Sequence, residues 1–301
     1  MDFLGFTKIP SWMYALYSLV AIWNLLSNSF IIYVCIVHKK LQKICYRWYT
    51  TQIAASGIIT TVCLFVAWII YTTETNYLTA RYLKAVVFLI SFSLVTTTIH
   101  HLHVAVERFL ASTFALKYKI YLTYKVRLLS SILLWIICLT VALVKSAIYN
   151  TDSQSEAINL LTFHILLGTP FWIALITMTA LYIKVYLNFG ESAKFRKAIN
   201  QSGGRAPAKD YSGVNMFFVS CLIYLCVCCP LVICSYFPNI QQREQVNLVF
   251  QVSLVLVYIT SGINLVIYCI FNVKYRRVLK YLFTCDFERL QNSQEARPVN
   301  Q

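Results

Sequence analysis

The chain has 301 residues, of which 59% are hydrophobic and only 12% charged. A soluble domain carries about 25% charged residues, and half that amount cannot cover a globule of this size. These proportions exclude a soluble enzyme, a secreted disulfide scaffold and a disordered chain, and leave a polytopic membrane protein whose net charge of +15 must sit mostly on one side.

A helix needs about 20 mostly apolar residues to cross the hydrocarbon core. Seven stretches qualify, in chain order Trp12–Val37, Trp48–Tyr71, Tyr82–Val106, Leu128–Ile148, Ile158–Leu187, Val214–Phe237 and Val246–Phe271. Barrel strands are excluded, because they are roughly ten alternating residues long. The first run is too long for a signal-peptide core and reads as a retained span. No internal repeat is visible. Gln201–Ala208 (QSGGRAPA) reads as a flexible linker between spans five and six. The expected organisation is a short extracellular N-terminus over 1–11 and a seven-transmembrane helix bundle over 12–271. An amphipathic helix follows over 272–285, and a disordered cytosolic tail over 286–301.

Seven spans put the two ends on opposite sides. The loops 38–47, 108–127 and 184–213 and the tail from Asn272 hold 21 of the 26 Lys and Arg; the other side holds five. The basic side is therefore cytosolic and the N-terminus extracellular. Acids divide almost evenly, six inside and five outside. The excess charge then faces anionic lipid and an intracellular partner, and no nucleic acid is called for. All eleven Cys lie in spans or on the inner side. No extracellular disulfide framework can form. The one Asn-x-Ser/Thr match, at Asn200, is also on the inner side.

Polar groups in a membrane are costly, so each needs a reason. Span three ends in Glu107-Arg108-Phe109. An adjacent acid and Arg can simply snorkel to the rim. However, Asp210 precedes Pro230 of span six by twenty residues, a helical rise of about 30 Å. That places it near the level of Arg108. An Arg108–Asp210 bridge would hold spans three and six together as a latch. Span seven carries Asn264 and Tyr268 on one face. In Val273–Phe283, Lys274, Arg276, Arg277 and Lys280 alternate with apolar residues, as in a helix lying on the inner leaflet.

These residues together resemble the rhodopsin-like (class A) G-protein-coupled receptors, over residues 12–285. Asn28 matches the helix-one Asn, Glu107-Arg108-Phe109 the Asp/Glu-Arg-Tyr motif, and Trp135 the helix-four Trp. Pro170 and Pro230 match the helix-five and helix-six prolines. Asn264 and Tyr268 match the outer members of Asn-Pro-x-x-Tyr. Asn272, Tyr275 and Arg276 resemble the opening of helix eight, and Asp210 falls at the helix-six acid. The resemblance implies a plasma-membrane receptor with an extracellular ligand and a heterotrimeric G protein as partners. It implies an activation network of Asn28, Thr97, Tyr224, Pro230, Asn264 and Tyr268, and no cofactor.

The departures bear on mechanism. Gly57 stands where the family has a buried helix-two Asp, so the family's sodium site is expected to be absent. Asn28, Thr97 and Asn264 are expected to form a neutral, water-linked network instead. Leu83 replaces the helix-three Cys, so the usual outer disulfide is missing. Cys228 replaces the Trp of Cys-Trp-x-Pro, Leu265 the span-seven Pro, and Met178 the helix-five Tyr. Pro230 is expected to kink span six, and span seven to run straighter.

The expected ligand site lies between the outer halves of spans three, five, six and seven. Its lining is Phe88, Ile90, Phe163, His164, Phe171, Tyr236 and Tyr258, for each of which plain helix packing is the alternative. Ile90 stands where amine receptors have an Asp, so a protonated amine would lose charge-assisted binding. Tyr258 stands in place of the opsin Lys, so no retinal Schiff base can form. An apolar, peptide or lipid-like ligand remains. His100, His101 and His103 have the wrong spacing for a helical metal pair and read as packing or hydrogen-bonding groups. Cys285 is a candidate for S-palmitoylation.

The sequence thus reads as an orphan receptor and not an enzyme. A seven-helix partner subunit without signalling of its own is the alternative. A transporter is disfavoured, since neither intramembrane charges nor broken repeats are evident. The ligand, the G protein and the oligomeric state are not specified by these residues.

Overall fold

The computed structural model describes residues 11–37, 44–73, 80–114, 117–118, 120, 122–149, 156–201, 212–235 and 244–284. In hydrocarbon every backbone N–H and C=O must be satisfied within the protein, and an apolar run of this length does so as a helix. The helices are α1 (Ser11–Val37), α2 (Ile44–Thr73), α3 (Ala80–Thr113) and α4 (Tyr124–Ile148). The fifth, α5, is built of Glu156–Phe163, a π-helical turn at His164–Gly168 and Thr169–Gln201. Then come α6 (Ser212–Ser235), α7 (Glu244–Phe271) and α8 (Val273–Phe283). No strand occurs among the described residues.

Among the described residues, five stretches are long and apolar enough to cross a membrane by themselves, ending with Leu161–Asn188 in α5. The described parts of α6 and α7 add the apolar segments Asn215–Pro230 and Val255–Phe271. Helix α3 continues beyond the expected Val106 to Thr113. The Glu107-Arg108 pair is therefore set within a helix, on a fixed face. Helix α7 runs unbroken through Leu265, where no proline interrupts the backbone ladder. Pro230 lies inside α6.

The packing is inverted relative to a soluble protein. On α4 the buried face is Ser131, Cys138, Ala142 and Lys145. Ile132, Leu133, Ile136, Ile137 and Leu143 are exposed. On α1, Asn24, Ser27 and Asn28 are buried while Leu19, Ile22, Leu25 and Leu26 are exposed. Lipid solvates large apolar side chains as well as a protein core does. Small and polar groups therefore gather between the helices, where they allow close approach and find partners.

Helix α3 is central and packs against α2, α4 and α5. Helix α7 packs against α1 and α6. One apolar cluster includes Ile31, Tyr49, Val104, Met178, Phe217 and Tyr268. At Asn272 the chain turns by 100° between α7 and the helix that follows. Tyr275 and Val278 of α8 are buried against the bundle, and Arg276, Arg277 and Lys280 are exposed.

Candidate functional site

Glu107 and Arg108 are both buried and form an ion pair with each other. The guanidinium also has aromatic neighbours on two other helices. It lies 5.6 Å from the ring centroid of Tyr49 on α2 and 5.4 Å from that of Phe217 on α6. Each ring face attracts a cation, and most strongly where water is excluded. Arg108 thus links α2, α3 and α6 at one level. Phe109 packs edge-on against Phe114. The other half of the expected latch, Asp210, lies outside the described residues.

The aromatic layer extends towards α8. Phe217 meets the ring of Tyr268 at 6.3 Å, and Tyr268 meets Tyr275 at 5.6 Å. The Tyr275 hydroxyl lies 3.4 Å from Cys35 Sγ, which lies 3.2 Å from Thr50 Oγ1. Tyr49 touches the His103 ring at 5.3 Å.

A chain of uncharged polar groups fills the middle of the bundle. Asn28 Nδ2 donates to Asn24 O at 2.9 Å and to Ser261 O at 3.2 Å. Asn24 Nδ2 donates to Tyr258 O at 2.6 Å. Asn264 Nδ2 reaches Ser261 O at 3.5 Å. Ser220 Oγ donates to Asn264 Oδ1 and lies 3.4 Å from His101 Nε2. His101 Nδ1 lies 2.8 Å from Thr97 O, and that carbonyl requires a proton on Nδ1. The imidazole stacks on Tyr224, whose hydroxyl meets Thr98 Oγ1 at 2.6 Å. Thr97 Oγ1 meets Thr60 Oγ1 at 3.1 Å. Asn28, Thr97, Tyr224 and Asn264 are thus joined across α1, α7, α6 and α3. Direct contacts through Ser261, Ser220 and His101 make the connections. Pro230 and Tyr268 are not hydrogen-bonded members of this chain; Tyr268 belongs to the aromatic layer.

Gly57 faces this chain at close quarters. A Cβ there would lie 2.6 Å from Ser261 Oγ and 2.8 Å from both Asn28 amide atoms. The volume that a helix-two carboxylate would need is occupied by neutral groups already bonded to one another.

The three adjacent histidines face three different helices. His100 packs on Trp135 of α4 at 4.7 Å, His101 on Tyr224 of α6, and His103 on Tyr49 of α2. Trp135 Nε1 donates to Gln52 Oε1 of α2 at 3.2 Å.

The expected ligand lining divides. Phe88 stacks on Phe92 at 5.8 Å, and Ile90 is partly buried. Phe163 meets His164 edge-on at 5.7 Å, where the π-helical turn begins. Phe171 is buried and approaches Tyr224 at 6.4 Å. Tyr258 turns away towards α1 and α2. Its hydroxyl donates to Thr61 O at 2.9 Å and its ring lies 6.2 Å from Tyr17. Tyr236 and Cys285 lie outside the described residues.

Sequence reasoning missed Tyr49, Phe217, Ser220, Ser261 and Lys145. His101 falls seven residues before Arg108, on the same helical face, and that spacing was available in the sequence. Lys145 is one of the five Lys and Arg that lie outside the basic loops and tail. It is buried on the inward face of α4, so a membrane-spanning helix does carry a buried charge.

No curated protein matches the chain. The family profile described as 7 transmembrane receptor (rhodopsin family) matches residues 27–268. That stretch holds the Arg108 cluster and the polar chain from Asn28 through Asn264, Ser220 and His101. The chain belongs to the rhodopsin family of seven-transmembrane receptors.

Proposed function

We propose that this protein is a plasma-membrane receptor, N-terminus outside and C-terminus in the cytosol, that passes an extracellular ligand's signal to a heterotrimeric G protein. The carrying observation is the placement of Arg108, buried and held between Tyr49 of α2 and Phe217 of α6. That arrangement links α6 to α3 at the inner end. Releasing it frees α6 to move and presents a cation to an intracellular partner. A ligand achieves this only by binding the released state more tightly than the resting one. The polar chain from Tyr224 and His101 to Ser220, Asn264 and Asn28 is the bistable element between the two ends. Arg108–Asp210 pairing adds a second hold on α6, and α8 lies along the inner leaflet with its basic side on anionic lipid.

Ile90 argues against a monoamine ligand and Tyr258 against a retinal Schiff base. The neutral packing around Gly57 leaves no charged oxygen for sodium, so sodium does not regulate this receptor. The same packing gives some support to a second reading, a partner subunit with no signalling of its own. Expression with a panel of G proteins separates the two. Asp210→Ala should raise basal signalling and Arg108→Ala should abolish it. If neither change alters any readout while surface expression is intact, the signalling reading is wrong.

A further inference from the structure

Helices α1, α2 and α7 are joined by side chains that reach across to backbone carbonyls. Asn24 Nδ2 of α1 donates to Tyr258 O of α7 at 2.6 Å. One turn further along, Asn28 Nδ2 donates to Ser261 O at 3.2 Å. Tyr258 turns its hydroxyl the other way and donates to Thr61 O of α2 at 2.9 Å. Asn24, Asn28 and Tyr258 are all buried. A bond to a carbonyl in the wall of a helix fixes the height and the rotation of that helix, because a shift of one residue turns the carbonyl by about 100°. In hydrocarbon no water replaces a partner that is lost.

Close packing adds to these bonds. A Cβ on Gly262 of α7 would lie 2.6 Å from Trp23 Nε1 and would collide with Asn24 Oδ1; one on Gly57 of α2 would lie 2.8 Å from both Asn28 amide atoms. Small residues at such contacts let the backbones approach closely. Tyr17 of α1 adds a ring 6.2 Å from Tyr258 of α7 and 5.8 Å from Trp68 of α2. Helix α7 also runs unbroken through Leu265. Helix α6 is held differently. It meets α7 through the side chains of Ser220 with Asn264 and Phe217 with Tyr268. Ser220 has a second acceptor within reach in His101 of α3, and α6 carries Pro230, a point at which a helix bends. We propose that α1, α2 and α7 form one rigid frame, and that α6 switches against it by exchanging the partner of Ser220. Tyr258 is then a staple within the frame and not part of a ligand lining. The proposal deepens the receptor reading, on which it rests only for what the movement of α6 signals.

The test follows backbone hydrogen exchange by mass spectrometry in the purified full-length receptor, held in phosphatidylcholine nanodiscs. Helices that form one cooperative unit lose protection together. Asn24→Leu removes the amide at similar volume, and Tyr258→Phe removes only the hydroxyl. Each should raise exchange in peptides of α1, α2 and α7 together, by roughly three- to tenfold, the scale of one lost interhelical hydrogen bond. Peptides of α6 should exchange as in the native receptor. Exchange that leaves any one of the three helices unchanged overturns the frame. An equal rise in α6 overturns the separation of frame from switch. If Asn24→Leu does not fold, Tyr258→Phe decides by the same criteria. The readout needs no G protein. A joint rise in a receptor that couples to no G protein would overturn the signalling reading alone, and coupling without a joint rise would overturn this proposal alone.

Discussion

The imidazole of His101 lies flat on the phenol ring of Tyr224, with centroids 4.8 Å apart and planes within 8°. The pair joins α3 to α6 one helical turn before Cys228. With Nδ1 protonated towards Thr97 O, the neutral ring offers Nε2 as an acceptor. Ser220 has one hydroxyl proton, and both His101 Nε2 and Asn264 Oδ1 lie within its reach. Ser220 is therefore a branch point that can serve α3 or α7.

Ser220→Ala should release both branches at once. Interhelical hydrogen bonds in membranes are worth roughly 0.6 kcal/mol on average and at most about 1.7. The expected result is a melting temperature lowered by a few degrees and a change in basal G-protein activation. His101→Phe keeps the aromatic stack and loses the branch. It should alter basal activation in the same direction as Ser220→Ala. If Ser220→Ala alters neither stability nor basal activity, the polar chain does not couple α6 to α7.

The clamp on Arg108 makes a second prediction. Cation–π contacts contribute roughly 0.5–2 kcal/mol each, the larger values where the pair is desolvated. Phe217→Leu keeps an apolar side chain and removes the ring face. It should raise basal nucleotide exchange on the coupled G protein several-fold, and Tyr49→Leu should act in the same direction. The double variant should exceed either one alone. Unchanged exchange in Phe217→Leu, at equal receptor density, would show that the ring does not restrain the resting state.

Gly57 supplies the third. Even Ala places a Cβ 2.6 Å from Ser261 Oγ, tighter than real contacts allow. Overpacking of this kind typically costs about 1–3 kcal/mol. Gly57→Ala should lower the melting temperature of the purified receptor, and Gly57→Asp more so, because the carboxylate adds a buried charge among neutral groups. Ligand or G-protein responses of the native receptor should be the same in sodium and in potassium at equal ionic strength. A sodium-specific effect would place an ion that this donor set does not explain.

Much of the architecture was legible because hydrophobicity and charge act locally. A run such as Leu128–Ile148 must leave water whatever surrounds it, and must be helical once in lipid. The split of 21 Lys and Arg on one side against five on the other was legible residue by residue as a charge asymmetry. Glu107-Arg108, Asn264 and Tyr268 were legible as costly polar or paired groups at recurring positions. Their partners were not. Which oxygen Ser220 meets, and whether Lys145 points to lipid or to α5, depends on the rotation of each helix against its neighbours. A helix turns by about 100° per residue, so His100, His101 and His103 look equivalent in sequence yet pack on α4, α6 and α2. Composition and charge order alone made this a seven-helix membrane protein with one basic face. Only the tertiary packing decided that Arg108 lies against two rings, that Gly57 leaves no room for a carboxylate, and that Lys145 is buried between α4 and α5. Those outcomes depend on contacts between residues far apart in the chain, and such contacts leave no mark on local composition.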